Sequence, residues 1–188
     1  MTYGTWTCVV DEEASVATLA ERFADGASFE EVLARPKENA VLWDALYKKA
    51  VLSPDIAARL RKMRGRWHFL VLNEDWCGDS VNILPYVARL ADAHPGIELR
   101  VLGRDTNPDL MNAHLTGTAK SIPVVIVYDE SFDEIGWWGP RPRELQKWVV
   151  TEGLALPKPD RYRHIRTWYA RDRGASIVSE ILSIIEQR

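Results

Sequence analysis

Cys77 stands in the segment Trp76-Cys77-Gly78-Asp79-Ser80, directly after the apolar run Trp67 to Leu72. A thiol placed where a strand hands over to a helix meets unpaired backbone N–H groups and the positive end of the helix dipole. Both favour the thiolate, and a thiolate attacks disulfides to form mixed disulfides. Asp79 works against this, because a carboxylate two residues away disfavours a second negative charge. The balance predicts a lowered pKa for Cys77, less lowered than with a neutral residue at position 79. Ser80 lies one helical turn on, on the same face. Its hydroxyl can hydrogen-bond a thiolate, but it cannot expel a trapped substrate from a mixed disulfide. Release then needs another thiol: glutathione or a similar small thiol as co-substrate, a second protein, or Cys8. Cys8 reads more simply as a small apolar residue in the strand-like stretch Trp6–Val10.

The elements that must position this thiol follow from periodicity. Residues 1–65 read as a helical arm. Asp11 to Ala24 spaces Val16, Leu19, Ala20 and Phe23 as a helix does, and Ser28 with Glu31 forms a capping box that opens Phe29–Ala34. Pro36 stops that helix, and Lys37–Val51 resumes with Leu42, Leu46 and Tyr47. Ser53-Pro54 starts another helix, turning Ile56, Leu60 and Met63 inward, and Gly65 ends it. Residues 66–153 then alternate between strands and helices. Strands are expected at Trp67–Asn73, Ile97–Leu102, Pro123–Tyr128 and Ile135–Trp138, with helices at Gly78–His94, Asn107–Leu115 and Arg143–Glu152. Such an order gives an α/β fold with a mixed sheet and helices on both faces. Residues 154–188 read as a linker with Pro157 and Pro159, then a helical extension packed on the core and interrupted at Gly174.

Several landmarks give this order a family resemblance. Pro85 lies eight residues after Cys77, inside its helix, where it should cause a kink. Ile122-Pro123 opens the third strand, and Gly136–Pro140 precedes the last helix of the core. With the Trp-Cys-Gly segment, these resemble the thioredoxin fold, whose kinking proline, cis-proline and glycine-containing loop fall at matching places. Arg104-Asp105, Asn107-Pro108, Trp138-Gly139, Arg141-Pro142, Trp168-Tyr169 and Asp172-Arg173-Gly174 make the chain similar to a bacterial thioredoxin-like subgroup with a helical N-terminal arm and an added C-terminal helix. The subgroup varies at the second cysteine position, where this chain has Ser80. Thioredoxins also carry a buried carboxylate six residues before the motif cysteine; here that position is Val71. The resemblance therefore implies monothiol exchange through Cys77, with the dithiol cycle absent. If Pro123 is cis, the backbone of Ile122 lies beside Cys77 and can pair with an extended peptide. Trp76, Ile122 and Trp138 are then the expected apolar docking rim, while Glu74 and Asp75 read as exposed loop acids. The alternation of Trp137 and Trp138 puts one in the core and one outside.

Bulk properties bound the rest. A length of 188 residues suits one domain with a full core plus an extension. A net charge of −3 gives no global argument for nucleic acid. The six basic residues of Lys158–Arg173 read as a solvated helix face with an aromatic inner side, and the basic helix end Arg59–Arg66 reads likewise. No apolar stretch approaches the roughly 20 residues needed to span a bilayer. No secretory leader is expected, and with two cysteines a reducing cytoplasm is expected. His68, His94, His114 and His164 lack metal-ligand spacing with one another, so no metal is expected. The expected partner is a protein disulfide or thiol, or a small thiol. The rival reading is a non-redox adaptor that reuses the groove to bind proteins.

Overall fold

β1 (Trp67–Asn73) is apolar on both faces because it is an interior strand. It pairs in parallel with β2 (Ile97–Gly103) and antiparallel with β3 (Val124–Asp129), which pairs antiparallel with β4 (Glu134–Trp138). The four-stranded sheet thus has the order β2-β1-β3-β4 and the mixture of parallel and antiparallel pairing anticipated above. The computed structural model describes residues 17–35 and 40–187. Cys8 and Val16 lie outside the described residues, as do the expected helix end at Pro36 and the start of the next helix at Lys37.

Strand alternation divides the interior in two. Phe69, Val71, Val125 and Val127 face one cluster, and Leu70, Leu72, Val124, Ile126 and Tyr128 face the other. The first cluster is covered by α5 (Ser80–Ala93), by α7 (Arg143–Thr151) and by the C-terminal α8 (Lys158–Asp172) and α9 (Ala175–Glu186). It also takes in Phe29 and Val32 of α2 (Phe29–Ala34), Trp43 of α3 (Ala40–Lys49), and Ile56 and Leu60 of α4 (Pro54–Lys62). The described arm and the extension therefore share a core with the sheet. The second cluster is covered by Phe23 of α1 (Leu19–Ala24) and Met111 of α6 (Pro108–Ala113). Cys77 and Ile122 belong to this second cluster.

Local chemistry explains most boundaries. Ser28 and Glu31 form the expected capping box, and Thr18 with Glu21 forms another that opens α1 at Leu19. Ser53 caps α4 ahead of Pro54. In α3 the inward residue is Trp43, whereas Leu42 is exposed, because the large indole takes the inner face. Pro157 and Pro159 do not make a linker: Pro157 caps α8 and Pro159 lies in its first turn, where a missing N–H breaks no helical bond. Arg173 and Gly174 then adopt left-handed φ values of 51° and 78° and turn the chain into α9. A Cβ on Gly174 would meet the ring of Tyr86 at 2.2 Å, so position 174 admits only glycine. α9 packs on β4 and α5. Arg59 is more than a solvated cation, because it donates to Glu186 at 2.7 and 2.8 Å and to the Ser179 hydroxyl at 2.9 Å, tying α4 to α9.

Candidate functional site

The loop leaving β1 turns at Glu74–Cys77, where the Cys77 N–H donates to the Glu74 carbonyl at 3.0 Å. Glu74 and Asp75 are half-buried rather than exposed. The Glu74 carboxylate accepts the Asp105 N–H at 2.9 Å and joins this loop to the end of β2. Helix α5 starts at Ser80, so Cys77 precedes it by three residues.

Ile122-Pro123 is a cis peptide, as expected. The Cys77 thiol donates to the Ile122 carbonyl, with Sγ and oxygen 3.4 Å apart. Gly139-Pro140 is a second cis peptide. A Cβ at Gly139, whose φ is +142°, would stand 2.3 Å from the Pro123 carbonyl oxygen. Only glycine lets the chain after β4 pass this close to the cis-proline strand.

The thiol itself departs from the sequence expectation. Cys77 is 8% exposed, and burial pushes its pKa up rather than down. The hydroxyl and backbone N–H of Ser80 lower it, but not enough, and the Asp79 carboxylate adds to the rise. Ser80 is fully buried, and its hydroxyl is held by no other polar group among the described residues. It is thus available to a thiolate at Cys77.

Asp79 occupies the N-cap position of α5 without capping it. Its side chain instead turns inward and is buried. One carboxylate oxygen accepts the Tyr169 hydroxyl at 2.9 Å, and the other accepts Nη2 of Arg141. Burial, then the neighbouring Asp79, holds the Tyr169 hydroxyl well above the usual phenol range, so it remains a donor. Arg141 also donates to Gln146 at 3.0 Å. Arg141 and Tyr169 are site residues that sequence reasoning had not assigned. Their signal was present in the Arg141-Pro142 and Trp168-Tyr169 segments, but nothing local paired either with Asp79.

Cys77 opens onto a groove of about 430 Å³ lined by Trp76, Ile122 and several cationic side chains. Of the expected docking rim, Trp76 lines the groove, 54% exposed and with the Arg104 guanidinium 5.0 Å from its ring. Trp138 does not. It is 6% exposed in the first cluster, and its indole N–H donates to Glu180 of α9 at 2.7 Å. Strand alternation turns Trp138 under α9, while half-buried Trp137 faces the second cluster near His114. Among the described residues, no group of three His, Cys, Asp or Glu is placed to hold a metal ion. No described helix is long and apolar enough to cross a membrane.

A family model described as thioredoxin, Thioredoxin_9, matches residues 26–160. Among solved structures, PA1234 of Pseudomonas aeruginosa, a protein of unknown function, is 23% identical with a TM-score of 0.75. That match covers 92% of this chain and 99% of PA1234. An HIV epitope-scaffold is also 23% identical, with a TM-score of 0.73, over 92% of this chain and 99% of its own. Likeness at this identity shows a shared fold alone. No curated protein matches the chain.

Proposed function

The chain belongs to the Thioredoxin_9 family, and from that premise we propose that it carries out monothiol thiol–disulfide exchange through Cys77. The observation that carries the reading is the Cys77 sulfur 3.4 Å from the Ile122 carbonyl, ahead of cis-Pro123, at the floor of an open groove. A peptide or small disulfide laid against Ile122 presents its sulfur to Cys77.

The reaction is a displacement. The Cys77 thiolate attacks one sulfur of the substrate disulfide, a Cys77–substrate S–S bond forms, and the other sulfur leaves as a thiolate that takes a proton from solvent. Ser80 stabilises the attacking thiolate by hydrogen bonding. It has no sulfur with which to resolve the product, so a second thiol must displace the substrate and regenerate Cys77; in this reading it comes from solution or from another protein rather than from Cys8.

Incubation with oxidised glutathione, followed by intact mass, tests this. One glutathionyl adduct per chain, absent in Cys77→Ser, is the expected result. An unchanged mass at pH 8–9 would favour the non-redox adaptor, for which the burial of the thiol is the supporting observation. In that case Cys77→Ser leaves partner binding intact.

A further inference from the structure

We propose that the groove selects a low-molecular-weight disulfide bearing carboxylates, an inference that rests on the exchange reading above. Four cationic side chains line the groove: Arg104, Lys120, Arg141 and Lys158. Among its lining residues the one acid is Asp79, and its two oxygens are already taken by Arg141 and Tyr169. Arg104 is shared with Asp105 at 2.8 Å. Lys120 and Lys158 are exposed, and among the described residues neither has a carboxylate within ion-pair distance. The whole chain carries a net charge of −3, so this concentration of positive charge around the thiol is local.

Two physical arguments narrow the ligand. A volume of about 430 Å³ lies in the range of small-molecule sites, and a thiol only 8% exposed is reached more readily by a slender disulfide than by one set in a protein surface. Carboxylates on that disulfide would be repelled by Asp79 and by the Cys77 thiolate in the absence of compensating charge. Lys120, three residues before Pro123, and Lys158, at the start of α8, supply that charge without losing an ion pair already formed. Clefts lined by one sign of charge raise the encounter rate of the opposite sign by roughly 10-fold or more. The cationic start of α8 therefore belongs to the groove as well as to a solvated face.

The test compares mixed-disulfide formation with three probes: oxidised glutathione (anionic), 2-hydroxyethyl disulfide (neutral) and cystamine (cationic). Each rate is read by intact mass and divided by the same probe's rate with a small free thiol. The expected result at low salt is an anionic-to-cationic ratio of roughly 10 or more. That ratio should shrink at about 1 M salt, where screening is short-ranged, and in the double variant Lys120→Glu/Lys158→Glu. Equal normalised rates for the three probes, or a ratio unmoved in the double variant, overturn the charge preference and leave exchange standing. No adduct with any probe overturns the exchange reading and the preference with it.

Discussion

Burial holds the Cys77 thiol protonated against the hydrogen bonds that Ser80 offers its thiolate. Alkylation by iodoacetamide should therefore be slow at pH 7 and climb as pH rises past the ordinary thiol value of about 8.5. A midpoint below that value contradicts the burial argument. Ser80→Ala removes a stabiliser of the thiolate and should move the midpoint further up. Asp79→Asn removes a repelling charge and frees Arg141 beside the sulfur, so the midpoint should move down. The cis peptide before Pro123, and with it the nearness of Ile122 to Cys77, was legible from the family resemblance. The direction of the thiol's pKa was not, because it depends on how deeply the second cluster encloses Cys77, which no local pattern encodes. Asp79 was read as a near neighbour in sequence, yet its partners lie 62 and 90 residues away.

Those distant partners make the elements after β4 part of the site. Tyr169→Phe deletes one donor to a buried carboxylate and should cost about 1 kcal/mol in urea unfolding. Arg141→Ala strips the counter-charge from buried Asp79 and should cost about 3 kcal/mol, within the range for breaking a buried pair. A loss no larger than that of Tyr169→Phe would mean that Asp79 is not held by the ion pair. Apart from the first helix, expected over Asp11 to Ala24 but started at Leu19 by the Thr18 cap, the helix positions, strand limits and the capping box at Ser28 could be read from periodicity and end signals. The two prolines near the start of α8 could not, since Pro in a linker and Pro in a first helical turn look alike in sequence. Trp138 was misplaced for a related reason. Alternation says that one of two adjacent tryptophans points inward, and only the packing of α9 on β4 says which.

Across the whole molecule, α9 links the arm to the sheet. It buries Ile177, Val178, Ile181, Leu182 and Ile185 in the first cluster, donor Trp138 reaches its Glu180, and Arg59 of α4 grips its last turn. Ile181 is fully buried there, so Ile181→Ala should destabilise the chain by about 2–5 kcal/mol while the groove residues themselves remain unchanged. The same architecture leaves one described cysteine at the site, with a serine where a resolving thiol stands in a dithiol pair. The central claim is that this site captures a disulfide and has no means of its own to release it. The direct measurement is to form the glutathionyl adduct, remove small molecules, and follow intact mass over hours before and after adding a thiol. The account predicts a constant adduct mass until the thiol is added, then complete release. Spontaneous loss of the adduct with formation of a Cys8–Cys77 disulfide would contradict it.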